Sequence, residues 1–307
     1  MAASLKGKPL TSASARTDRL LPAVLLLFLG ITLFDMMGLI IKHLSPVYSA
    51  AELSAYRNLF GLIPSALVLF LSPSWRRGEV SLRLRQWRLA LFRGVCITFA
   101  QFTFYLSLGA MAFASATTIS YAMALFMTAF AVPVLGEKVG PVRWVAVCIG
   151  FAGVIMVMKP GAETFQWVAV LPLLAAAFYA IAGITSRLLD DDTPSALLNL
   201  YSSGVSAVGA IVLTFATGGF STMQSVQHFG LIFAMGAFGG AAVLCWVIAH
   251  RQTEQSNLAP FNYFGIPLAF ALGWLFFDEA PFDDLFPGAL LIAAAGLLIL
   301  WRERRRR

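Results

Sequence analysis

The chain repeats itself with a reversal built in. Aligned without gaps, residues 34–57 run against 179–202. Gly38 meets Gly183, Leu44 meets Leu189, Ala51 meets Ala196, Leu53 meets Leu198 and Tyr56 meets Tyr201, while Lys42 falls opposite Arg187. At a second constant offset Gly94, Ala100, Tyr121 and Glu137 align with Gly236, Ala242, Tyr263 and Glu279. Each half reads as a run of five hydrophobic segments. An odd number forces the second half to cross a bilayer upside down relative to the first. Two like halves facing opposite ways form the plan of a carrier that opens a central site to each side in turn.

A chain of 307 residues that is 59% hydrophobic and 12% charged is not an ordinary soluble protein. A spanning helix needs about 20 mostly apolar residues. The segments fall at 20–42, 49–71, 88–109, 113–135, 142–158, 167–187, 195–216, 229–249, 258–277 and 285–301. The expected fold is therefore an all-α membrane protein with ten transmembrane helices in two inverted five-helix repeats. Residues 1–19 form a tail, 20–161 the first repeat, and 162–307 the second repeat with a basic C-terminus. The first segment carries Asp35 and lacks a small-residue cleavage pattern, so it is expected to be a retained helix rather than a leader.

The net charge of +7 resembles a nucleic-acid signal until the basic residues are placed. Threading ten spans puts 18 of the 22 Lys and Arg residues on one side, against Lys42 and Lys159 on the other, with Arg57 and Arg93 inside segments. The positive-inside rule makes that side cytoplasmic and sends both termini there, as expected of a multi-pass plasma (inner) membrane protein. The arginine runs then serve as lipid-headgroup anchors rather than a nucleic-acid face. Cys96, Cys148 and Cys245 lie far apart within apolar segments, and His43, His228 and His250 stand singly at segment ends. Neither set predicts a metal site or a cofactor. No GxxxxGK[ST] loop is present, so ATP is not the expected energy source.

Two stretches, "VLGEKVGPVRWVAVCIGFAGVIMV" (134–157) and "FFDEAPFDDLFPGALLIAAAGLLIL" (276–300), resemble the end of an EamA repeat. There a helix finishes at an acidic residue and a Gly-containing helix follows. Arg57 in "AYRNLFG" resembles the arginine of that family's second helix, and Arg93-Gly94 the start of its third. The resemblance extends over nearly the whole chain and implies the drug/metabolite transporter superfamily. It implies a carrier of amino acids, sugars, vitamins or nucleotide-like metabolites. The Asp35…Lys42 spacing and "LAPFNYF" (258–264) look similar to members that take up riboflavin or S-adenosylmethionine.

The candidate chemistry lies in a few polar residues at membrane depth. An ionised carboxylate near the bilayer centre costs about 2.5–3.5 kcal/mol, so Asp35 should have a partner or face water. Arg57 stands at similar depth and is the expected partner, either as a structural ion pair or with each group taking part of a substrate. Asp35 would then take an ammonium or a proton, and Arg57 a carboxylate. Gln101 and Tyr105 share one helix face, four residues apart. Tyr56 with Tyr201 and Tyr121 with Tyr263 are repeat equivalents suited to a mostly apolar cavity, joined by Asn199, Trp246 and Asn262. Lys42 and Arg187 end equivalent helices on opposite faces, as dipole partners or as gates. Glu137 and Glu279 are placed to cap the helix that follows each. Gly236 and Gly240 form a close-approach face, and Pro260 and Pro267 make segment nine a candidate pathway lining.

The reading is a secondary transporter of a small amphipathic metabolite, an amino acid or a related compound, working by alternating access. Membrane lipids surround it, and protons are the candidate coupling ion. Uptake of a larger metabolite such as riboflavin or S-adenosylmethionine is the alternative. An intramembrane enzyme would need a polar dyad, and Asp35 has no second intramembrane acid beside it.

Overall fold

A sequence with no strand-like alternation and long apolar runs gives helices throughout. The computed structural model describes residues 20–71, 86–136, 140–158, 167–185, 195–252 and 261–304, with 75, 77, 188 and 258 besides. Among the described residues the α-helices are, in chain order, α1 (Leu20–Leu44), α2 (Ala50–Leu71), α3 (Trp87–Ala110), α4 (Phe113–Ser120), α5 (Met123–Leu135), α6 (Pro141–Met158), α7 (Val170–Thr185), α8 (Ser195–Ala216), α9 (Val226–Gln252), α10 (Gly265–Phe277), α11 (Phe282–Leu285) and α12 (Gly288–Arg304). The stretches Leu20–Leu44, Trp87–Ala110, Phe113–Leu135, Trp167–Thr185 and Val226–Trp246 are long and apolar enough to cross a membrane.

The ends of these helices are specified locally. Ser49 and Glu52 form a reciprocal capping box at the start of α2: the Ser49 N–H donates to Glu52 Oε2 at 2.8 Å and the Glu52 N–H to Ser49 Oγ at 3.2 Å. α5 ends at Gly136 and α10 at Asp278, both left-handed, with φ of 67° and 55°. These two positions are equivalent in the repeat. At α10 the Asp278 N–H reaches Trp274 O and the Glu279 N–H reaches Gly273 O, which closes the last turn and reverses the chain. That reversal throws Glu279 back across the end of the bundle.

Packing follows an exchange of halves. α1 packs on α9 and, reciprocally, α7 on α3; α2 packs on α9 and α8 on α3; α10 packs on α1 and α5 on α7. α2 with α8, and α6 with α12, are pairs that map onto themselves. The same exchange reaches single residues. A Cβ on Gly94 would meet Val205, and one on Gly236 would meet Phe60, the repeat equivalent of Val205. Gly240 lies against the Pro64 ring, with 2.6 Å from an added Cβ to Cγ. Its counterpart contact is Thr98 against Gly209, with the small residue moved to the other helix. The Gly236/Gly240 face is thus spent on α2 within the chain, where small residues let backbones close in.

The fourth and ninth segments are broken, each at its repeat-equivalent tyrosine. α4 gives way to α5 at Tyr121–Ala122, and the ninth segment turns at Tyr263–Phe264 before α10 begins. Around both breaks the backbone tightens to i→i−3 bonds: Tyr121 N to Thr118 O, Ala122 N to Ile119 O, Phe264 N to Phe261 O and Ile266 N to Tyr263 O. At the second break Pro267 has no N–H to offer the Tyr263 carbonyl, so the regular ladder cannot run through. Short tightened stretches inside helices mark hinges. Pro260 lies outside the described residues.

Candidate functional site

The two breaks meet in the middle of the bundle. The Tyr121 and Tyr263 rings stand 5.8 Å apart at 37°. Each hydroxyl is pressed against a glycine of another helix, Tyr121 on Gly265 and Tyr263 on Gly296. Ile31 of α1 also borders the Tyr121 ring's niche. Asp35 follows Ile31 by one turn on the same face of α1. It is 6% exposed, and its Oδ2 has no hydrogen-bond partner. Thr117 and Thr118, one turn before Tyr121 on α4, also bury hydroxyls without a protein partner.

A second polar region lies between α2, α3, α7 and α8. Arg57 is 8% exposed, and Nη1 donates to Asn58 Oδ1 at 3.0 Å while Nε has no partner. Its side chain lies along Gly239 of α9 beside Met37, and its charge reaches the Tyr105 and Tyr179 hydroxyls. Next to it runs a closed network. Asn58 Nδ2 donates to Gln101 Oε1 at 2.6 Å and to Ser206 Oγ at 3.1 Å, and Ser54 and Ser206 hydroxyls also reach Gln101 Oε1. All four are buried and each satisfies the others, so the network fastens three helices.

One end of the bundle is tied together by an ion pair. Lys42 Nζ lies 2.8 Å from Glu279 Oε1 and donates to Met111 O at 2.7 Å, above the Phe277 ring. The other Glu279 oxygen accepts the Phe113 N–H at 2.9 Å. Glu279 therefore caps α4, where a carboxylate is favoured by the helix dipole, rather than the helix that follows it in sequence. The cap expected on the following helix is thus replaced by one on α4, because the turn at Asp278 points the side chain backward. At the same end Glu52 accepts the Ser221 N–H and hydroxyl and Tyr48 Oη accepts the Gln224 N–H, tying the 217–225 connection to the start of α2, while Tyr48 also meets His228 Nδ1 of α9 at 3.2 Å.

Several expected neighbours stand apart. Among the described residues no ion pair joins Asp35 to Arg57: Asp35 stands one turn beyond Ile31, which borders the Tyr121 niche, whereas Arg57 lies along Gly239 of α9. Tyr56 packs on Phe220 at the Lys42–Glu279 end, and Tyr201 packs with Trp75 and Leu197 at the opposite one, so these equivalents do not share a cavity. Gln101 lies in the closed network and Tyr105 is fully buried beside Arg57. Trp246 stands 5.0 Å from Phe34 and above Gly30. Asn262 precedes the second break. Arg187, Glu137 and the Asn199 side chain lie outside the described residues. Sequence reading missed Ser54, Asn58 and Ser206, although Ser54 and Asn58 are spaced four apart on one helix face. It also missed Tyr179, whose signal was its position opposite Phe34 in the repeat.

A family model described as the EamA-like transporter family matches residues 21–159 and again 166–301. The chain belongs to the EamA-like transporter family. It is thus a multi-pass membrane protein of a family of transporters. It is 30% identical to a riboflavin transporter of Rhizobium johnstonii over 56% of each chain, so that match spans about half of the relative's length. It is 25% identical to an S-adenosylmethionine uptake transporter of Rickettsia felis, over 86% of this chain and 87% of the relative. Against a pseudopaline exporter of Pseudomonas aeruginosa the identity is 25%, over 91% and 95%. A solved crystal structure superposes with a TM-score of 0.62 at 20% identity, over 93% of this chain and 98% of the other, which supports the fold.

Proposed function

We propose that this family member is a secondary transporter that moves a small amphipathic metabolite across the plasma membrane by alternating access. The observation that carries the reading is the exchange of packing partners between halves, centred on two broken segments whose tyrosines meet. A carrier needs two arrangements of nearly equal energy, and a pseudo-symmetric pair of halves supplies them by swapping roles. The basic end is cytoplasmic and holds both termini. The end held by Lys42 and Glu279 is external, and their pair keeps the external mouth closed in this conformation. Asp35, Tyr121 and Tyr263, with Arg57 and Tyr105, line the central site, and Trp246 and Asn262 border it.

The relatives carry riboflavin, S-adenosylmethionine and pseudopaline by name, and one of these is an exporter. An amino acid or related compound, or a larger metabolite such as S-adenosylmethionine, suits a site with charged groups set in aromatic walls. Protons are the candidate coupling ion and Asp35 their candidate carrier; ATP plays no part. Purified protein in liposomes should exchange internal for external metabolite without ATP. Failure of counterflow with every metabolite offered would defeat the carrier reading. An Asp35→Asn variant whose pH profile matches the parent's would remove Asp35 from proton exchange.

A further inference from the structure

The two reciprocal seams of the bundle each hold one arginine. On the seam of α2 with α9 it is Arg57, supplied by α2; on the seam of α8 with α3 it is Arg93, supplied by α3. The repeat aligns Arg57 with Ser202 and Arg93 with Met235. The guanidinium has therefore moved to the other helix of its seam, as the small residue does between Gly240 and Gly209. Arg93 stands six residues beyond Trp87 at the start of α3, about 9 Å along the helix. A long side chain at that depth would ordinarily reach outward to the lipid headgroups. Its fork turns into the seam instead. Nη1 donates to Ser202 Oγ at 3.4 Å, Ser202 is fully buried, and the shielded Nε has no partner among the described residues. One serine hydroxyl satisfies a single donor of the five on a guanidinium and none of its charge. Among the described residues no carboxylate pairs with Arg93.

A buried polar line runs from Arg93 to Arg57. Ser202 and Ser206 follow one another by one turn on α8, both fully buried. Ser206 Oγ accepts from Asn58 Nδ2 at 3.1 Å, and Asn58 Oδ1 accepts from Arg57 Nη1 at 3.0 Å. The line thus carries a guanidinium at each end and no acid between them, a field that attracts anions and repels cations. We propose that Arg93 and Ser202 form a second binding station, for a small oxyanion, in the half of the bundle opposite Arg57. A carboxylate or a phosphate takes parallel N–H donors from the guanidinium fork and the O–H of the serine. The same chemistry comes from a free anion or from a phospholipid headgroup of the nearby leaflet. Resting on the carrier reading above, the station receives the oxyanion at the basic end of the molecule.

The test uses the full chain in neutral phosphatidylcholine nanodiscs, with the three native cysteines replaced and Ser202→Cys introduced. Labelling rates are read for two methanethiosulfonates of like size, one bearing a sulfonate and one a trimethylammonium group. Beside Arg93 the sulfonate reagent should gain about tenfold over the cation, relative to a free thiol in the same buffer. Arg93→Met should erase that preference, and Arg93→Lys, which keeps the charge, should retain most of it. Millimolar inorganic phosphate should slow the sulfonate reagent beside Arg93 and leave it unchanged in Arg93→Met. Slowing by phosphatidylglycerol in the nanodisc, with phosphate then without effect, supports the station and assigns its oxyanion to the headgroup. A charge preference that survives Arg93→Met overturns the proposal. So does the absence of protection by both phosphate and anionic lipid, or the absence of labelling by either reagent. Metabolite counterflow is measured in parallel; its failure strikes the carrier reading and leaves the station to be decided by the labelling.

Discussion

Replacing Glu279 by Gln should open the end that Lys42 closes. The change keeps an acceptor for the Phe113 N–H but removes the charge 2.8 Å from Lys42 Nζ. An exposed ion pair contributes about 0–1 kcal/mol and a hydrogen bond to a charged group about 1.5–3 kcal/mol. Lys42 is 12% exposed and Glu279 28%, between those two cases. A shift of about 1.4 kcal/mol follows, or tenfold in the ratio of open to closed. The assay is labelling by a membrane-impermeant maleimide of a cysteine placed at Thr117, one turn inside α4. The three native cysteines are replaced beforehand. When opening is fast, the labelling rate follows the open population, so it should rise about tenfold. A rate that stays level in Glu279→Gln, or that falls, would refute the assignment of these residues to a closure.

The tyrosine niches give a paired prediction. Gly265→Ala should lower thermal stability in detergent by about 1–3 kcal/mol, since the new methyl meets the Tyr121 hydroxyl. Adding Tyr121→Phe should recover most of that, because the ring carbon beneath lies 3.0 Å away. Full loss in the double variant would show that the hydroxyl is not the obstacle. Gln101→Leu strands Asn58, Ser54 and Ser206 together and should lower stability by about 1–3 kcal/mol in the same assay. No change in that variant would mean the network contributes nothing net.

The helical segments were legible because hydropathy alone sets them, and the membership in two halves was legible because their landmarks recur. What the sequence could not locate was distance from the pseudo-dyad. Repeat-equivalent residues meet only where the chain runs close to that axis. Tyr121 and Tyr263 do so, which is why the pair faces itself. Tyr56 and Tyr201 lie far from it and are carried to opposite ends. Matching depth suggested that Asp35 and Arg57 pair, but depth fixes only one coordinate; helix rotation turns the two side chains to different neighbours. The Glu279 contact was hidden for another reason. A left-handed residue at Asp278 reverses the chain, and its glycine counterpart Gly136 announces such a turn more plainly than an aspartate does.

The central claim is that the two halves exchange roles, closing one end as the other opens. Spin labels at His43 and Ala280 report the end tied by Lys42, and labels at Trp87 and Leu188 report the opposite one. Distances from both pairs, measured in nanodiscs across the metabolite mixture, should move in opposite senses, the first widening as the second narrows. Both pairs widening together would describe a channel, and neither moving would describe a rigid scaffold; either result contradicts alternating access.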